Sequence, residues 1–534
     1  MPFRHIPSGV VRPDMMLWLL LTAHASDCDL DALDDASELG CAAGSTDPDL
    51  ADSDGGGESD GVERARGSDP CDPDDDLPMG DRDGDTLPDR LERLLGTNPR
   101  RADTDGDRTP DELELRGLDG VACTGDETHP LRPDTDGDGI RDGEDLYPTD
   151  PLAPGMSPEP IAPDACVQVL RRGRDPEFDA VSGQVTWQSL DRRGRYHLVV
   201  AQVDPTTGDL VDAEAWDTDL LPVSRASNGP EWMVDPDGSR ILYSKEDDRG
   251  VTQLWVAEPD GDGGWLPEPV DGTLGGIGPF GTQDPDDPDD RFIRWSEPDP
   301  DLFRLSWVRA WDDPDSAYVF GEALTAHRFA SGWPAITLTA FDLESGLDQV
   351  FFHVPQTEPP EVAARTRVTT GPPDKEGAFS WVDPVLGPLV LTTHHAASGD
   401  PTAMAVYRVD DGSLVTLIPS PGALPFVVSP EPFVWDGRSY VSWEASRGPL
   451  VAGREEWGHH LGSRDGDAAV WIASIDAGHG GRTSFARRLT AAGLDDVQLD
   501  LKDPEAYTGG DRAWVYYTVD LPGDLQVWRC ETGL

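Results

Sequence analysis

Three runs of acids at one spacing are the residues of this chain best placed to do chemistry. Asp81, Asp83, Asp85, Asp89 and Glu92 stand at positions 1, 3, 5, 9 and 12 of a twelve-residue window, with the Leu87 carbonyl at position 7. The pattern returns with Asp103, Asp105, Asp107, the Thr109 carbonyl, Asp111 and Glu114, and again with Asp134, Asp136, Asp138, the Ile140 carbonyl, Asp142 and Asp145. A calcium ion takes about six to eight oxygen ligands, and a loop of this length supplies them from those positions. Without a cation, like charges about 4 Å apart repel by roughly 4 kcal/mol at an effective dielectric near 20. Calcium is therefore the expected cofactor, and its binding is expected to order the segment.

Local signals place the ligands. Pro88 is suited to the first position of a short helix and Gly96 to its close, and Pro110 and Gly117 repeat the arrangement. Such a helix would hold the position 9 and 12 carboxylates beside the ion. Only the third loop has glycine at position 6, Gly139, where the others carry Thr86 and Arg108; the third loop closes on the shorter Asp145. The loops are EF-hand-like in spacing. With Leu95-Gly96-Thr97-Asn98-Pro99 and Pro133-Asp134-Thr135-Asp136-Gly137-Asp138-Gly139, residues 81–151 resemble bacterial thrombospondin type 3 repeats. The resemblance implies a calcium-stiffened extracellular spacer of the kind found in adhesion and envelope proteins.

Around this segment the composition changes. Residues 26–160 hold 40 acids against 11 arginines, within a chain of 534 residues and formal charge -61. That charge excludes a nucleic-acid binder driven by phosphate neutralisation. Residues 1–25 read as a signal peptide, with Arg4 and Arg12, the apolar run Met15–Leu21 and Ala23-His24-Ala25. Its apolar run is far shorter than the roughly 20 residues of a membrane span. Residues 26–80, nearly devoid of aromatic and β-branched side chains, are expected to be a disordered acidic linker. Residues 152–164 form a Pro-rich linker.

From 165 to 534, short β-branched and aromatic runs alternate with Asp, Gly and Pro turns, and no helical period is sustained. Comparable strands begin near 184, 240, 291, 335, 388, 438 and 512. Repeats of this length predict an all-β, C-terminal β-propeller of about seven blades, with six or eight left open. Gly229 to Ser244, with Trp232 and the Asp237-Gly238 turn, followed by Gln253-Leu254-Trp255-Val256, resembles the WD40-like repeat of TolB-type propellers.

The six cysteines favour disulfides in an exported protein. Cys166 to Leu170 precedes the first full blade, while the last repeat ends at Cys530 without an outer strand. A Cys166–Cys530 bond would clasp the ring; two separate buried thiols are the alternative. The chain contains no Gly-x-Ser-x-Gly elbow, His-Glu-x-x-His motif or phosphate loop. His394-His395, His459-His460, Asp284 to Asp290 and Asp465 to Asp467 are weaker candidates. The expected function is non-enzymatic: a secreted or surface protein whose stiffened spacer presents a propeller to a protein or glycan. An exported propeller hydrolase acting on polysaccharide or peptide is the alternative.

Overall fold

The computed structural model describes residues 50–117 continuously, shorter stretches between 27 and 149, and 166–534 apart from several connecting segments. Residues 1–25 and 152–164, read from the sequence as a signal peptide and a Pro-rich linker, lie outside the described residues. The chain divides into two compact units, Met1–Leu152 and Ala153–Leu534.

In the second unit the alternating strands pair with their sequence neighbours into seven four-stranded antiparallel sheets. The strand starts read from the sequence fall on the second strand of each sheet: Gln184–Leu190, Gly238–Glu246, Phe292–Asp299, Trp333–Asp342, Gly387–His395, Arg438–Ser446 and Trp514–Leu521. Each sheet packs against the next and the seventh packs against the first, which makes a closed seven-bladed β-propeller. The apolar core lies in layers between blades. Val470 and Ile472 of the sixth blade meet Val515 and Tyr517 of the seventh, and Val185 and Trp187 of the first meet Tyr516 and Val527. The long interval before the last repeat arises in the sixth blade. There a two-residue hairpin, Glu455–Glu456 with His459–His460, is inserted between the second and third strands.

Closure needs an outer strand for the last blade, and the chain before the first blade supplies it. Cys166–Arg171 pairs antiparallel with Asp524–Glu531 with Cys166 opposite Cys530, and the two are disulfide-bonded. The WD40-like repeat forms Glu231–Asp235 and Gly238–Glu246 across a two-residue turn, with Gly238 at φ 125° where a side chain would be strained.

The described residues of the first unit hold little regular structure. Its described α-helices, Asp60–Arg66, Asp89–Leu95 and Asp111–Arg116, are six or seven residues long. Helices this short are not stable alone. A small core of Val62, Leu87, Leu91 and Leu95, backed by Met79 and Leu115, gathers them, and the Cys28–Cys123 disulfide staples the unit. Cys71 is also disulfide-bonded.

Residues 50–80 correct the expectation of a disordered linker over 26–80. They contain the helix Asp60–Arg66, and Val62 is buried in the core. The buried Glu58 carboxylate binds Arg66 at 2.7 Å and Arg90 at 2.5 Å. Composition measures only the apolar surface a segment can bury. This segment is ordered by carboxylates bonded to its own backbone, a contribution that hydrophobic counting omits.

Candidate metal centre

The first two acidic loops fold alike because the same carboxylates bond the same backbone groups. Asp81 accepts from Gly84 N at 2.7 Å and Thr86 N at 3.1 Å; Asp103 accepts from Gly106 N at 2.6 Å and Arg108 N at 3.0 Å. The position 5 acids accept from the position 7 amides, Asp85 from Leu87 N at 3.0 Å and Asp107 from Thr109 N at 2.7 Å. The position 9 acids reach back to position 2, Asp89 to Arg82 N at 3.1 Å and Asp111 to Thr104 N at 2.7 Å. These bonds leave the remaining oxygens of the loop facing one another. Asp81, Asp83 and Asp85 each offer a carboxylate oxygen within 4.8 Å of the others.

Each helix then delivers its position 12 glutamate. The helix Asp89–Leu95 begins after Pro88, which is extended at φ -66° and ψ 140°, so proline sits one place earlier than the sequence suggested. Gly96 closes it at φ 93° by donating to the Glu92 carbonyl at 2.7 Å. Glu92 is 0% exposed, and neither of its carboxylate oxygens has a hydrogen-bond partner. Glu114 is also buried; Thr128 Oγ1 donates to its Oε1 at 3.2 Å, while Oε2 is without a partner.

The third loop shares the opening geometry. Asp134 accepts from Gly137 N at 2.7 Å, and Asp142 accepts from Thr135 N at 2.7 Å and Thr135 Oγ1 at 2.6 Å. Its closing turn is the single 3-10 turn Asp142–Glu144, followed by buried Asp145. Asp136 and Ile140 are described, whereas Asp138 and Gly139 lie outside the described residues. Gly143 N donates to Asp107 Oδ2 at 3.2 Å and Arg141 donates to the Gly106 carbonyl at 2.6 Å, so the third loop packs on the second.

Position 6 of the first two loops carries Thr86 and Arg108 in place of glycine. Both adopt the left-handed turn, at φ 79° and 89°, although neither is glycine. That conformation costs about 1–2 kcal/mol per residue. Glycine instead occupies position 4 throughout, as Gly84, Gly106 and Gly137 at φ 81°, 84° and 82°. Sequence reading passed over this glycine, and over Thr104 and Thr135, which hold the position 9 carboxylates. Their common signal is Asp-x-Asp-Gly with threonine at x in two of the loops.

Packing so many acids together displaces their titration. Burial, reinforced by the neighbouring carboxylates, pushes Asp85 up to about 8 and Glu92 up to about 7. The same causes push Glu114 up to about 11, with Asp107, Asp105 and Asp111 as its charged neighbours. A divalent cation reverses this, because its charge favours the ionised form of every ligand.

The weaker candidates fare differently. Asp284 to Asp290 and Asp465 to Asp467 lie outside the described residues. His394 is buried, with Nε2 3.0 Å from the Tyr407 hydroxyl, which is a core pair and not a ligand set. In the propeller, a cavity of about 690 Å³ opens between the fifth and sixth blades, lined by Asp383, Arg408, Arg438, Tyr440, Asp476 and Arg487 among others. None of these stood out in the sequence, because blade packing assembles them from distant turns. Among the described residues no helix is long and apolar enough to cross a membrane.

No protein-family model and no curated protein matches the chain. Solved propellers resemble it in outline. The β-propeller domain of the trilobed protease from Pyrococcus furiosus is 10% identical with a TM-score of 0.37, over 68% of this chain and 97% of that one. A putative TolB from Agrobacterium tumefaciens is 11% identical with a TM-score of 0.33, over 68% and 91%. The acylaminoacyl peptidase from Pyrococcus horikoshii is 9% identical with a TM-score of 0.36, over 67% and 52%. At these values function has to be argued from the chain's own residues.

Proposed function

We propose that residues 81–145 bind calcium structurally, in an exported protein whose propeller recognises a protein or glycan at the cell surface or outside it. The carrying observation is Glu92, a fully buried carboxylate without a hydrogen-bond partner, held by its helix against the acids of its own loop. Burying an unpaired carboxylate is costly, and a coordinated cation removes that cost. The ligand set contains only oxygen, which suits a hard cation. Asp81, Asp83, Asp85, Asp89 and Glu92 would hold the first ion with the Leu87 carbonyl. Asp103, Asp105, Asp107, Asp111 and Glu114 would hold the second with the Thr109 carbonyl. The third loop would use Asp134, Asp136, Asp138, Asp142 and Asp145 with the Ile140 carbonyl. A bound ion would supply the charge that offsets the gathered carboxylates; the protein's part is to fix where they sit.

Export is supported by the cysteines, none of which is free among the described residues. Disulfides persist in oxidising compartments. Recognition is assigned to the propeller because the acids of the first unit are committed to their own loops. Titrating the calcium-depleted full chain with calcium by calorimetry tests the first part. Saturable heat with affinities of about 0.1–1 mM is expected, and its absence ends the proposal. A protein and glycan binding screen run beside a broad hydrolase assay tests the second. Turnover abolished by a single carboxylate substitution in the propeller would replace recognition with catalysis.

A further inference from the structure

Residues 52–63 repeat the loop geometry with one ligand missing from the local sequence, and a distant residue replaces it. In the same register Asp52, Asp54, Asp60 and Glu63 occupy positions 1, 3, 9 and 12, but position 5 is Gly56. The hydrogen bonds correspond one for one. Asp52 accepts from Gly55 N and Gly57 N, both at 2.8 Å, as Asp81 does from Gly84 and Thr86. Asp60 accepts from Ser53 N at 2.9 Å and Ser53 Oγ at 2.5 Å, as Asp111 does from Thr104. Asp60 N donates to the Ala51 carbonyl at 3.0 Å, matching Asp89 N to Gly80 and Asp111 N to Ala102. The left-handed residues also fall at positions 4 and 6, here Gly55 and Gly57 at φ 75° and 108°.

Asp76 occupies the place of the missing acid. A Cβ on Gly56 would lie 2.2 Å from Asp76 Oδ2 and 2.5 Å from its Cγ, so the Asp76 carboxyl fills the volume that an aspartate side chain at 56 would take. It also makes that side chain's bond: Glu58 N, the position 7 amide, donates to Asp76 Oδ2 at 2.8 Å. The exchange is anchored in both directions, since Leu77 N donates to the Glu58 carboxylate at 2.9 Å and Arg66 donates to the Asp75 carbonyl at 2.9 Å. Asp76 offers an oxygen within 4.8 Å of those of Asp52 and Asp54, and likewise within 4.8 Å of those of Glu63 and Asp75.

Independently of this cluster, Glu63 is 0% exposed, and neither of its carboxylate oxygens has a hydrogen-bond partner. It stands to this loop as Glu92 stands to the first. We propose that Asp52, Asp54, Asp60, Glu63 and Asp76, with the Glu58 carbonyl, bind a further calcium ion. The inference depends on the reading of the three downstream loops only for the identity of the cation. The site couples two stretches of chain, so its ion would fasten residues 72–77 to the helix Asp60–Arg66.

The test counts calcium bound to the full chain after equilibrium dialysis, in the wild type and in Asp76→Ala, Glu63→Gln and the double variant Gly56→Asp/Asp76→Ala. Each single substitution should remove one calcium per chain, or weaken one class of site at least about tenfold. The double variant should restore it by returning the carboxylate to position 5. Wild-type stoichiometry and affinity in both single variants would overturn the proposal. So would a double variant that keeps the helix Asp60–Arg66 protected from amide exchange without regaining the ion. A parallel set in Glu92→Gln/Glu114→Gln/Asp145→Asn separates the two readings. If only the downstream loops fail to bind, that background loses nothing while Asp76→Ala still loses one ion.

Discussion

Removing calcium should unfold the first unit selectively. Among the described residues its central apolar cluster, with Leu30 and Leu113 buried outside it, holds four buried side chains, Val62, Leu87, Leu91 and Leu95. At about 1.5–3 kcal/mol each, these supply roughly 6–12 kcal/mol before the entropy of ordering the chain is subtracted. With dissociation constants of about 0.1–1 mM and free calcium near 10 mM, each occupied loop adds about 1.4–2.7 kcal/mol. Three occupied loops would together contribute roughly 4–8 kcal/mol, comparable to that cluster, so the cation would decide whether the unit is folded. Tryptophan fluorescence is blind to this transition, because Trp18 is the one tryptophan before residue 187. Hydrogen exchange followed by mass spectrometry resolves it. Amides that close the loops and helices, those of Leu87, Thr109 and Gly96, should exchange at least about a thousandfold more slowly in calcium than in chelator, at about 1.36 kcal/mol per decade. Propeller amides should be unchanged. Glu92→Gln should forfeit one loop's share of the calcium-dependent stabilisation. Equal exchange of the first unit with and without calcium would refute the reasoning, since the loops would then be held by their carboxylate–amide bonds alone.

Three further outcomes concern the propeller. Cys166→Ala/Cys530→Ala releases a bond between residues 364 apart, worth about 5–6 kcal/mol on the loop-entropy estimate, so the denaturation midpoint should fall markedly while the paired terminal strands still close the ring. An unchanged midpoint would mean that strand pairing alone fastens the circle. Lys245 Nζ lies 2.5 Å from Asp217 Oδ2, both buried, and 4.2 Å from the Trp255 ring centroid; Lys245→Met leaves Asp217 buried without its cation and should cost about 3–5 kcal/mol in equilibrium unfolding. Lys375 is buried and donates to the Gly371 and Pro373 carbonyls at 2.8 and 2.7 Å, and burial lowers it to about 8 against the opposing pull of Asp374. Between pH about 8 and its unfolded value near 10.4, the unfolded chain holds the extra proton, so this group makes stability rise with pH. Wild-type stability relative to Lys375→Met should climb across that window, and a flat difference would contradict the shift.

The fold of the acidic loops was legible because their acids and turns lie within twelve residues, and spacing alone places the acids. The strand starts were legible for a related reason: alternating β-branched and aromatic runs bounded by Asp, Gly and Pro specify strands locally. The order in residues 50–80 was not legible. Asp52, Asp54, Asp60 and Glu63 keep the ligand register, but Gly56 breaks it at position 5. A search restricted to contiguous windows reads the result as solvated linker.

What the sequence determined by itself is therefore the periodic part: seven repeats of strand and turn, and three twelve-residue acidic loops. Tertiary structure decided whatever joins residues far apart in the chain. It set Cys166 against Cys530 to close the ring, placed Lys245 beside Asp217, and assembled the cavity between the fifth and sixth blades from separate turns. It also laid the Asp76 carboxyl into the space left by Gly56. The physical reason is the same in each case. Local propensity and spacing act along the backbone, whereas burial, charge pairing and ligand geometry depend on distance in space, which the fold alone establishes.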